Sequence, residues 1–250
     1  MLPIIDHHTH VHLNYGHDAK TEAEDVLLAM DQAGVEVSII IDVCGIYGND
    51  YREGNDHAAE AVRRHPGRLL AFAYLHPMYA GIEACLDEAD RCVNELGFKG
   101  LKIHPVTDYH PINSREYVYP LVEKAVALDL PLFIHTGHPP MSGPILVADL
   151  ARKFPRSKLI LGHLGHAQFS DACYVGLEYP NVYADLSMNH FGAIKNAYRA
   201  FGPERMLFGS DSPTSHPIGA KSFVENLPIP VGEKEQILGG NIIRLCALEF

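Results

Sequence analysis

The sequence predicts a closed (β/α)8 barrel of the TIM-barrel class, and three observations predict it. Eight apolar, β-branched runs alternate with amphipathic stretches along the chain. The runs are apolar almost continuously, as strands covered on both faces are, instead of at every second residue. The first run, Ile4-Ile5-Asp6-His7-His8-Thr9-His10, leads into histidines where an open doubly wound sheet would carry a glycine-rich phosphate turn.

Taken in order, the first strand should place His8 and His10 on one face and His7 and Thr9 on the other, because strand side chains alternate. Thr21-Glu22-Ala23-Glu24 reads as a capping box with Thr21 as N-cap, starting a helix that stops at Gly34. Val37–Val43 is the second strand, and a helix over Asn55–Arg64 ends at Pro66-Gly67. Leu69–Leu75 is the third strand; the helix Ile82–Leu96 follows, with Cys85 and Cys92 seven apart on its apolar face. Gly100–Pro105 is the fourth strand, with a helix over Ser114–Leu128 capped by Asn113 or Ser114. Leu130–Gly137 is the fifth, and Pro144 suits the first turn of the helix that runs to Phe154. Lys158–His163, Val182–Met188 and Arg205–Asp211 complete the strands, with helices near Asp171–Leu177, Ala193–Phe201 and Lys234–Leu248.

The polar residues gather at the C-terminal ends of these strands. They are His8 and His10, Asp42, His76, Lys102 and His104, His135, His163 with His166, Asp185 followed by Asn189 and His190, and Asp211. In a barrel those ends meet at one mouth, where active sites sit. Two imidazoles on one face of a strand end can hold a divalent metal ion, and three imidazoles with a carboxylate form a common zinc set that leaves positions for water and substrate. Taken singly, His76, His104, His138, His190 and His216 read as packing or hydrogen-bonding histidines.

Composition narrows the partners. At 250 residues, 20% charged and 47% hydrophobic, residues 1–250 read as one globular domain. A net charge of -11 argues against nucleic-acid and anionic-membrane partners and leaves a small-molecule substrate. No apolar run has the length of a membrane span, and no basic-then-apolar leader opens the sequence. Cys44, Cys85, Cys92, Cys173 and Cys246 form no CxxC pair and read as free thiols of a cytoplasmic protein. No motif fixes an oligomeric state, so a homo-oligomer is admitted.

Asp6-x-His8-x-His10, His135, Gly162-His163, Gly209-Ser210-Asp211 and the tail Ile237–Leu245, each on its expected element, resemble the amidohydrolase superfamily. The resemblance is greatest to the group containing aminocarboxymuconate-semialdehyde decarboxylase and related hydrolases. It implies one divalent metal, zinc first and manganese second, held by His8, His10, His135 and Asp211. It further implies that Asp211 shuttles the proton of a metal-bound water and that His163, beside the ligands, polarises the reacting group. Lys102 has the position that carries a carboxylated, metal-bridging lysine in binuclear members; its plainer reading is an uncarboxylated lysine that binds a substrate anion or pairs with an acid. His104, His166 and Arg52 are further substrate-contact candidates. The first expected activity is metal-dependent hydrolysis of an amide, lactone or ester of a small carboxylated molecule. The alternative is non-oxidative decarboxylation, and a catalytically silent metal-binding protein is the third reading.

Overall fold

The computed structural model describes residues 2–12, 21–43 and 50–250. Strands β1 (Ile5–Val11), β2 (Val37–Asp42) and β3 (Leu69–Ala71) pair in that order. A second run orders β4 (Ala73–Tyr74), β5 (Leu101–Ile103), β6 (Pro131–Ile134), β7 (Lys158–Leu161), β8 (Val182–Asp185) and β9 (Met206–Leu207). Every pairing is parallel. β3 and β4 are halves of one barrel strand interrupted at Phe72. The Phe72 N–H still donates to Ile40 O at 3.1 Å and Ala73 N–H to Gly100 O at 2.9 Å, so the ladder passes through the break. The chain beyond β9 closes the circle, with Asp211 N–H donating to His8 O and His10 N–H to Ser212 O, each at 2.7 Å. The sheet is therefore a closed eight-strand barrel with both edges paired. Ile39–Ile41, Leu132–Ile134 and Leu159–Leu161 are fully buried, which is why these runs show no alternation.

The outer ring follows the predicted order, with instructive offsets. Helix α1 (Ala23–Ala33) is capped by Glu22 with Asp25, one residue later than expected. Thr21 is drawn out of the cap because its backbone bridges His12 at 3.0 and 3.2 Å. α2 (Tyr51–Arg64), α3 (Pro77–Ala80) and α4 (Ile82–Asn94) come next, and Cys85 and Cys92 are buried on α4 as expected. The predicted helix from Ser114 begins only at Tyr119, giving α5 (Tyr119–Ala127). Pro120 has no N–H to donate into a preceding turn, so the helix starts there and Ser114 caps a separate turn. α6 (Pro144–Lys153), α7 (Phe169–Glu178) and α8 (Phe191–Phe201) match expectation, and α9 (Pro217–Glu225) is an additional helix. The predicted tail helix divides into α10 (Val231–Glu235), a wide turn over Gln236–Gly240 and α11 (Asn241–Leu245). The widening occurs where Gly239, lacking a Cβ, lets the Pro3 carbonyl press against the turn. The four described cysteines are free, and Cys44 lies outside the described residues. Among the described residues no helix is long and apolar enough to cross a membrane.

Candidate metal centre

β1 is not a regular strand at its histidines. Its register against β2 runs from Asp6↔Ser38 to Thr9↔Ile40, so three steps on β1 match two on β2. This bulge breaks the expected alternation. His7, expected on the face opposite His8, is fully buried with its Nε2 3.7 Å from Asp185, the residue that also holds His8. Asp6 holds the bulge, accepting from His8 N–H at 3.2 Å and Ser210 N–H at 2.9 Å. Burial raises the Asp6 carboxyl to about 7.

Three of the expected ligands converge. His8 Nε2 and His10 Nε2 lie 3.1 Å apart, and Asp211 Oδ1 lies 3.2 Å from the first and 3.0 Å from the second. Proton positions follow from the partners on the far side of each ring. His8 Nδ1 sits 3.0 Å from Asp185 Oδ2 and His10 Nδ1 3.3 Å from Ile41 O, and both partners accept. Each Nδ1 therefore carries the hydrogen, and each Nε2 presents a lone pair. Burial lowers His8 to about 4, which keeps that ring neutral at pH 7. Burial alone would raise Asp211, but His8, His10 and His163 outweigh it and hold the carboxyl well below its usual range. Two lone pairs and a carboxylate thus face one point with no proton between them. Ligand bonds of about 2.1 Å to a divalent ion place neighbouring donors about 3.0–3.4 Å apart, so the edges fit.

His135 stands beside this trio rather than within it. It groups with His163 and His166, while His8, His10 and Asp211 form their own set. His135 Nδ1 lies 3.1 Å from His163 Nε2, and its Nε2 is buried without a hydrogen-bond partner among the described residues. A buried nitrogen without a partner suits a metal ligand, although His135 lies outside the His8, His10 and Asp211 set. His163 follows β7 in a kink where His163, Leu164, Gly165 and His166 all have positive φ (53°, 45°, 74° and 50°). Its Nδ1 is 2.9 Å from Ser187 Oγ, so both ring nitrogens are engaged.

The substrate-contact candidates divide. Lys102, on β5, is 1% exposed, with its Nζ 3.5 Å from the Phe133 ring centroid and no hydrogen-bond partner among the described residues. Burial lowers it to about 8, opposed by Asp185, Asp211 and Asp108. His104 stacks on His135 at 3.7 Å between ring centroids. His166 stacks on His163 at 4.3 Å, in space that Gly137 leaves open: a Cβ there would lie 2.6 Å from His166 Cδ2. Arg52 instead reaches Glu88 of α4 at 3.5 Å, so its described partner is on the outer ring. His76, His190 and His216 are helix caps, accepting from Tyr79, Ala193 and Ile218 N–H. Sequence reasoning gave no role to Asp185 or Ser187. Asp185 was visible as a polar strand end, whereas nothing in the sequence marked Ser187.

The amidohydrolase family model matches residues 5–247, and the chain belongs to that family. Among its relatives, the gamma-resorcylate decarboxylase of Polaromonas sp. (strain JS666) is 27% identical over 250 residues, covering 79% of this chain and 76% of the relative. The 2-keto-4-carboxy-3-hexenedioate hydratase of Sphingobium sp. (strain SYK-6) is 26% identical over 210 residues, 66% of this chain and 62% of the relative. The fold matches that of a dihydroxybenzoic acid decarboxylase from Polaromonas sp. JS666, solved with manganese and 2-nitroresorcinol. That match has a TM-score of 0.77 at 22% identity, over 99% of this chain and 98% of the other.

Proposed function

We propose that this protein is a metal-dependent, non-oxidative decarboxylase of small hydroxylated aromatic carboxylic acids. The sequence alone put hydrolysis first and decarboxylation second; the relatives support the reverse order. The observation that carries the reading is the match to a decarboxylase along 79% of the chain. An unpartnered cation, Lys102, at the heart of the site adds to it.

His8, His10, Asp211 and His135 would hold the metal. Manganese is the ion of the solved relative, and zinc suits the imidazole-rich donors. When bound, the ion supplies positive charge that steadies a phenolate oxygen. Asp211, ionised and 8% exposed, takes the proton of the substrate's ring hydroxyl and returns it to the carbon that bears the carboxylate. The carbon–carbon bond then breaks, its electron pair restores the aromatic ring, and carbon dioxide leaves; solvent reprotonates the phenolate. Lys102, charged below about pH 8, attracts the substrate carboxylate into the mouth. His163, whose Nδ1 is 2.9 Å from Ser187 Oγ, would present Nε2 beside the ligands to polarise the reacting group.

Product analysis with 2,6-dihydroxybenzoate tests the reading. Equal amounts of carbon dioxide and resorcinol are expected. Opening of lactones or amides with no carbon dioxide from any hydroxybenzoate would restore the hydrolase.

A further inference from the structure

Lys102 is a charge without a counter-ion. It is 1% exposed, and its ammonium has no hydrogen-bond partner among the described residues. Asp185, Asp211 and Asp108 all favour its charged form, yet none of them bonds to it. A bare ammonium is costly to bury, so another group must hold it.

The register of the sheet brings that group. Lys102 of β5 pairs with Phe133 of β6, and residues paired across neighbouring strands project to the same side. That side is the barrel interior, because the Phe133 ring also meets the His8 and His7 rings of β1, at 4.5 and 5.4 Å between centroids. Lys102 Nζ stands 3.5 Å from the centroid of the fully buried Phe133 ring, which is a cation–π contact. Gly162, just after β7, leaves room for that ring: a Cβ there would lie 3.1 Å from Phe133 Cε2. An aromatic face differs from a carboxylate in one respect. It attracts the ammonium through its quadrupole but carries no net charge, so the field of the lysine is not cancelled.

We propose that Phe133 is the positioning residue for Lys102, its ring face holding the ammonium inside the barrel in place of a counter-ion and leaving the whole charge to act on a substrate carboxylate. The action on substrate rests on the decarboxylase reading above; the contact itself does not.

Because the ring also packs on the metal-binding His8, the test alters its charge distribution and barely its size. Mono-, di- and trifluorinated phenylalanine are placed at position 133 by site-specific incorporation. Each fluorine draws electron density from the ring face and weakens its hold on a cation. In metal-free protein with carbon-13-labelled lysine, the Lys102 signal reports the proton on Nζ as pH is raised; it is assigned by its loss in Lys102→Met. His7 and His8 of β1, His104 after β5, His135 after β6, Asp108, Asp185 of β8 and Asp211 act on Lys102 in every member of the series, so their effects cancel in the comparison. The wild-type midpoint should lie at about 8. Proton affinity should fall stepwise, reaching about 10-fold weaker with three fluorines, and Phe133→Leu should fall at least as far.

Midpoints unchanged across the fluorine series would overturn the proposal, even if Phe133→Leu fails to fold. So would a fall in Phe133→Leu with none on fluorination, because packing alone would then hold the lysine. In metal-loaded protein, the pH at which KM for 2,6-dihydroxybenzoate climbs should move down in step with the midpoints. If no hydroxybenzoate releases carbon dioxide, the decarboxylase reading fails while the Lys102 titration still decides the role of Phe133.

Discussion

At the scale of single residues, the site is a set of acceptors short of positive charge. Asp211 has two tasks, binding metal and carrying a proton, and they can be separated. Asp211→Asn keeps an oxygen donor and loses the base, so it should retain part of its metal while kcat falls about 100-fold or more; metal analysis and turnover on one preparation check this. Lys102 should act on substrate instead. Lys102→Met should raise KM for a hydroxybenzoate about 10-fold, the effect of removing a buried positive charge that attracts the substrate carboxylate without touching it, with a smaller change in kcat. In the wild type KM should climb as pH rises past about 8, where Lys102 loses its proton, and in Lys102→Met that climb should vanish.

At the scale of elements, close approach between strands decides whether the residues meet. Gly209, between β9 and Asp211, has no room for a side chain. A Cβ there would lie 2.6 Å from Asp185 Oδ1 and 2.8 Å from His8 Cβ. Gly209→Ala should therefore weaken metal binding about 10-fold or more with every ligand still present, which titration of the stripped protein with manganese measures. Elsewhere on the rim, His57 of α2 joins Asp42 at the end of β2, 2.7 Å away, and Glu22 before α1, 3.4 Å away. The Asp42 hydrogen bond raises the His57 pKa, so folding is favoured by holding the proton. That stabilisation is complete below about pH 6.5, the unfolded value, and is lost as pH rises through the folded one. The stability gap between wild type and His57→Gln, measured by urea unfolding, should be wider at pH 5.5 than at pH 8.5. Much at this scale was legible. Continuous apolar runs marked the strands, and histidines at their ends marked the mouth. Period-two reasoning failed at His7 because a bulge depends on how β1 meets β2, a contact that spacing within β1 does not encode. Asp185 and Ser187 escaped for a related reason: their partners lie 22 to 179 residues away in sequence.

For the whole molecule, the barrel brings residue 8 and residue 211 to one point, so a metal ion there should tie the first strand to the last. Binding to the folded state at 100 times Kd adds about 2.7 kcal/mol. For a chain of this size, that is roughly 5–10 °C in Tm. Manganese or zinc should produce such a rise in wild type and none in His8→Ala. The central claim is that this mouth uses a metal and a returned proton to replace a carboxylate with hydrogen. Turnover of 2,6-dihydroxybenzoate in heavy water tests it most directly. Metal-loaded protein should release one carbon dioxide per resorcinol, with one deuterium at the vacated ring carbon. Chelation should abolish turnover and manganese or zinc should restore it. Undiminished turnover in stripped protein, or no carbon dioxide alongside hydrolysis of a lactone or amide, would contradict the account.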